Sequence, residues 1–183
     1  MSFVSALFPS EPYEKNGTAV REGGMIKQLH KASEFLRSIR IQMRYGELSR
    51  APLRLLRLQM LGNAVECDWV ARTSDPWDAD FSRGLQQRHA SLQALRDAMD
   101  VRALLFDTMP NVSTACLKVY RESLENAKEL IITGYSHRSD KPSRDVHSIA
   151  MRAKLLGFNF DLEGEVLHKL LGHEEVCATS KTG

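Results

Sequence analysis

At 183 residues, with 43% hydrophobic and 26% charged side chains, the chain is sized for one globular domain and is too apolar for wholesale disorder. The formal net charge of +2 favours no class of charged partner, and no run of sequence approaches the ~20 apolar residues of a membrane-spanning helix. The charge is unevenly placed. Residues 21–57 carry nine basic side chains against three acidic ones, whereas residues 64–110 carry five against eight. That asymmetry predicts either an internal match between the two segments or a basic face for an anionic partner.

Residues 1–23 hold Pro9, Pro12, Gly17 and Gly23 without a period and are expected to form an extended arm. The opening MSFVSALFPSEPYEKNG has no basic stretch ahead of its short apolar run, so it does not fit a secretory signal. Residues 24–172 then read as a single α+β domain, and 173–183 as a flexible tail.

Within the domain, Ile26, Leu29, Ala32 and Leu36 recur at helical steps. In SIRIQMRYG the period changes to two: Ile39, Ile41, Met43 and Tyr45 alternate with Arg40, Gln42 and Arg44. A strand over 38–45 and a continuation of the preceding helix both fit. Next, LRLLRLQM and AVECDWVAR flank Gly62-Asn63, a centre suited to a two-residue hairpin turn. Counting outwards from that turn pairs Met60 with Val65, Gln59 with Glu66, Leu58 with Cys67, Arg57 with Asp68 and Leu56 with Trp69. Apolar then meets apolar and Arg57 meets an acid, which a slip of one residue would undo.

Ser74-Asp75-Pro76 predicts the start of a long helix, with Asp75 as N-cap, Pro76 at the first position and Asp78 reaching back. Its apolar stripe is Phe81, Leu85, Leu92, Leu95, Met99 and Phe106, ending before Pro110. VSTACLKVYR and KELIITGYS predict a second hairpin. After a polar loop, Ser143 is expected to cap a helix with stripe Val146, Ile149, Ala150, Ala153 and Leu156, closed by Gly157. FNFDL reads as a short strand and EVLHKLLG as a short helix. The predicted architecture is α+β: a single, mostly antiparallel sheet of about five or six strands built from hairpins, with helices packed on one face.

No nucleotide, hydrolase or zinc-protease motif occurs, and no C-x-x-C pair. His168 and His173 lack the cysteine half of a zinc finger, so no metal and no cofactor is expected. Cys67 falls on the apolar side of its strand and reads as a core thiol. Its odd companions Cys116 and Cys177 suggest no disulfide framework, and a reducing, cytoplasmic setting is the simpler expectation. Glu66 and Asp68 share a face, but cross-strand partners account for them.

The densest polar stretch is the loop 136–147, leaving a strand and entering a helix N-terminus. His137, Arg138, Lys141, Ser143, Arg144 and His147 are the candidate anion- or ligand-binding residues there. A basic segment, 37–57, is the nucleic-acid candidate, disfavoured because Tyr45 and Trp69 lie on the apolar side of their strands. The expected function is thus a non-catalytic binding or protein-interaction module, with self-association compatible. The alternative is a small enzyme or ligand-binding protein for an anionic metabolite using the 136–147 loop, with catalytic residues unassigned.

Overall fold

The computed structural model describes residues 30–38, 53–73, 76–123, 127–141 and 145–171. The expected N-terminal arm, the C-terminal tail and the segment 39–52, which holds nearly all of the strand-or-helix alternative and Arg40, Arg44 and Arg50 of the basic segment, lie outside that set.

One six-stranded sheet, in the order β1-β2-β3-β4-β5-β6, carries helices on one face. The first helix, α1, is described over 30–38 and sends Phe35, fully buried, into the core. Strands β1 (Arg54–Leu61) and β2 (Ala64–Val70) form the predicted hairpin, with Gly62 at φ +62° in the turn. The register holds for four pairs, from Met60↔Val65 to Arg57↔Asp68. It then shifts, because Trp69 faces Leu55 and Leu56 is left over as a bulge. The extra residue turns Leu56 partly outwards and lets Leu55 cover the indole, a substitution of one leucine for the next that counting cannot see.

The acidic start at Asp75-Pro76 does not open the long helix. Pro76–Asp78 forms a single 3₁₀ turn, and α2 (Arg83–Thr108) begins later, with Ser82 in the N-cap position. Asp78 instead approaches His89 Nδ1 at 3.1 Å. Phe81, expected on the buried stripe, precedes the helix and is 45% exposed. The face that is buried runs through Ser91, Leu95, Ala98, Val101 and Leu105.

The long helix also changes the sheet. It carries the chain across from β2 to β3 (Thr114–Glu122), so these two strands are parallel, the single parallel pair in the order. Strand β4 (Lys128–His137) returns antiparallel, with a bulge after Val119. The register brings Val65, Cys67 and Trp69 level with Ala115, Leu117 and Val119, all buried beneath α2.

The predicted Ser143 cap is replaced. Helix α3 (Ile149–Leu155) starts after Ser148, whose side chain accepts from the Met151 N–H at 3.3 Å. Gly157 closes it at φ +85°, as expected, and leads into β5 (Phe158–Glu163). EVLHKLLG is not a helix: Val166–His168 is β6, paired with β5 around Gly164 and Glu165, both at positive φ. The tight turn sets Leu162 opposite Leu167 and buries Leu167, an arrangement that its helix-like apolar spacing does not reveal. No helix among the described residues is long and apolar enough to cross a membrane.

Candidate functional site

The loop singled out by composition leaves β4 beneath the C-terminal end of α2, and its best cation is spent on that helix. Arg138 donates from Nη1 to the Phe106 carbonyl (2.7 Å), from Nη2 to Met109 (2.6 Å) and from Nε to Val112 (2.8 Å). A helix ends with carbonyls that have no partner in the helix, and a guanidinium is a favoured cation there. Arg102, within α2, reaches the other way. It donates to Ser136 Oγ and to the carbonyls of His137 and Asp140. Burial lowers its pKa, partly offset by the nearby Asp140 carboxylate. Both guanidiniums stack over the Phe106 ring, about 5 Å from its centroid. The loop is therefore latched to α2 from both sides.

Of the other predicted residues, His137 ends β4, exposed, with its ring edge-on to Tyr135, and its backbone N–H donates to Asp140 Oδ2 at 2.7 Å. Lys141 and His147 are exposed. Ser143 and Arg144 lie outside the described residues, and α3 begins beyond both. The described part of the loop thus brings His137, Arg138 and Asp140 together in a turn.

A hollow lies at the opposite end of α2. A cleft of about 770 Å³ opens where β2 and β3 end, between the first half of α2 and β6. This is the carboxyl end of the parallel pair, the side on which open α/β sheets place their ligands. Ala90, Ala94, Ile131 and Leu167 give it an apolar floor, and Arg72, Arg83 and Arg121 bring charge to its walls.

Those walls are fixed by internal pairs. Arg72 leaves the end of β2 and meets Asp97 of α2, Nε to Oδ2 at 3.0 Å, with both side chains almost wholly buried. Gln93 Nε2 donates to Asp97 Oδ1 at 2.8 Å. Arg121 of β3 donates to Glu129 Oε2 (2.9 Å) and to the Leu167 carbonyl (3.0 Å). Glu122 is paired with Arg54. Ser91 Oγ accepts from the Leu167 N–H at 3.0 Å and fastens β6 to α2. Sequence reading missed this site because its residues come from five segments far apart in the chain. The one available hint was composition: Arg72 interrupts the apolar end of β2, and Asp97 falls on the buried side of α2.

The remaining chemistry is elsewhere. On the sheet face away from α2, Glu66 pairs with Arg57 at 2.8 Å, while Asp68 stands level with Lys118. Burial raises the Asp68 pKa; Lys118 and Arg57 act against the shift and Glu66 with it. Cys67 is a fully buried free thiol, and burial, reinforced by the Asp68 charge, pushes its pKa well up, so it is no nucleophile. Cys116 is disulfide-bonded. This runs against the expectation of reduced cysteines. No cluster of three or more His, Cys, Asp or Glu side chains able to hold a metal occurs among the described residues. Compared with protein-family models, with curated proteins and with solved structures, the chain shows no significant match.

Proposed function

We propose that the chain is a non-catalytic binding module whose ligand seats in the cleft between α2, β6 and the ends of β2 and β3. The observation that carries this reading is the pairing of the cleft's own charges. Arg72 is held by Asp97, and Arg121 by Glu129 and the Leu167 carbonyl. Side chains tied in this way keep the cleft's shape before a ligand arrives, which lowers the ordering cost of binding. They are poor acid–base catalysts, because a catalytic group must be free to exchange its proton with a substrate. The volume also falls within the usual range for small-molecule sites.

The alternative, an anion site in the 136–147 loop, asks Arg138 to leave three backbone carbonyls, at the end of α2 and just beyond it, before it could clamp a ligand. The cleft demands no such exchange. A fluorescence titration with the neutral probe N-phenyl-1-naphthylamine tests the choice. Saturable one-to-one binding is expected, abolished by Ala90→Trp, which fills the cleft, and by Gln87→Trp, placed from an exposed position on its wall. Binding that survives both substitutions in folded protein would overturn the reading.

A further inference from the structure

We propose, resting on the cleft as the binding site, that its ligand is an amphipathic anion, with an apolar body on the floor and an acidic head at Arg83. The floor comes first. Ala90, Ala94, Ile131 and Leu167 supply apolar surface, and Ser91 Oγ between them is already engaged by the Leu167 N–H. Of the other polar residues of the lining, Gln86 donates to the Ala79 and Phe81 carbonyls, while Thr73, Gln87, Ser123 and His168 stand around that floor. Against that floor a polar body would lose hydrogen bonds to water without replacing them, whereas an apolar body gains by leaving water.

The charges sort in the same way. Arg72, Arg121, Glu122 and Glu129 each have an ion-pair partner within the protein. The side chain of Arg83, the first residue of α2, stands exposed on the cleft wall and makes no ion pair or hydrogen bond with another described residue. After the internal pairs cancel, the cleft presents this guanidinium as its uncompensated charge among the described residues. A guanidinium favours planar acidic groups such as carboxylates, which it can hold through two N–H donors. An apolar floor beside an uncompensated cation complements a hydrophobic acid. A zwitterion or a cation would need a spare carboxylate, and Glu122 and Glu129 are both taken.

A matched pair of probes separates head from body. N-phenyl-1-naphthylamine and 1-anilinonaphthalene-8-sulfonate share one aromatic frame, and the second adds an anionic group. The sulfonate is expected to bind about 5- to 10-fold more tightly at low ionic strength, an advantage that shrinks as salt is added. Arg83→Gln should remove that advantage while leaving the neutral probe within about twofold, the difference being one surface charge interaction. Arg88→Gln, on the same helix but outside the cleft, should change neither. If the neutral probe binds in the cleft and the sulfonate binds no better, or Arg83→Gln leaves the sulfonate's advantage intact, the anion assignment is wrong while the cleft stands. If Ala90→Trp and Gln87→Trp fail to block the neutral probe, both the cleft and the anion assignment fall.

Discussion

Arg72 and Asp97 meet at 3.0 Å with side chains 3% and 1% exposed, so the end of β2 is joined to the middle of α2 through a buried ion pair. Such a pair contributes little over a hydrophobic substitute of equal volume, because desolvating two charges offsets most of their attraction. Breaking it is another matter. Asp97→Ala leaves a guanidinium buried without its carboxylate and is expected to cost about 3–5 kcal/mol in urea denaturation. The double variant Arg72→Met/Asp97→Leu should recover most of that loss. If the double variant is as unstable as the single one, the pair does more than satisfy its own charges.

Arg138 is predicted to act on stability rather than on binding. Arg138→Met strips three charge-assisted hydrogen bonds from the end of α2 and the segment that follows it, and should cost about 1.5–3 kcal/mol. Amide exchange should quicken around Phe106–Met109, and probe binding in the cleft at the far end of α2 should persist. Unchanged stability together with lost binding would return the loop to consideration as the site.

Gly157 tests the backbone at the α3–β5 junction. Its φ is +85°, and an added Cβ would lie 2.3 Å from the Tyr135 carbonyl oxygen. Gly157→Ala therefore meets an unfavourable dihedral and a backbone clash at once, and a loss of at least about 2 kcal/mol is expected. Thermal denaturation beside Gly62→Ala separates the two causes, because Gly62 has positive φ but open space around it. Equal losses at both positions would show that the clash at Gly157 is relieved.

The pH dependence follows from Asp68. Its carboxyl is held above the usual value of 3.8, chiefly by burial, so the folded state binds that proton more tightly than the unfolded chain does. Ionised Asp68 thus opposes folding at any pH above its raised folded value. The opposition fades as pH falls through that value towards 3.8, and below both values it is gone. Asp68→Asn should remove this contribution and make stability fall more steeply with acid in that window than in the parent. Identical slopes in parent and variant, followed by chemical denaturation across the window, would contradict it.

Much of the fold is legible in the sequence because period and turn chemistry are local. Gly62-Asn63 and the alternation of Val65, Cys67 and Trp69 set a register that holds until the bulge at Leu56. What escapes depends on distant contacts. Asp75-Pro76-Trp77-Asp78 has the composition of a helix start, yet Asp78 meets His89 and α2 begins under Ser82. Val166-Leu167-His168 has helical spacing, but a positive-φ turn and the Ser91 hydroxyl make it a strand. The candidate site follows the same rule. Composition draws attention to the 136–147 loop because its charges are adjacent in sequence, and Arg138 proves to be occupied. Arg72, Arg121 and Leu167 become neighbours only once the crossover of α2 and the β5–β6 turn are in place.

The most direct measurement is an NMR titration of isotopically labelled protein with N-phenyl-1-naphthylamine, followed residue by residue. The cleft reading predicts that amide shifts cluster at Ala71–Thr73, Gln86–Ala94, Arg121–Ser123, Glu129–Ile131 and Val166–His168, the five segments that wall the cleft, with the 137–141 turn unmoved. Shifts centred on His137, Arg138 and Lys141, or no saturable shifts anywhere, would contradict it.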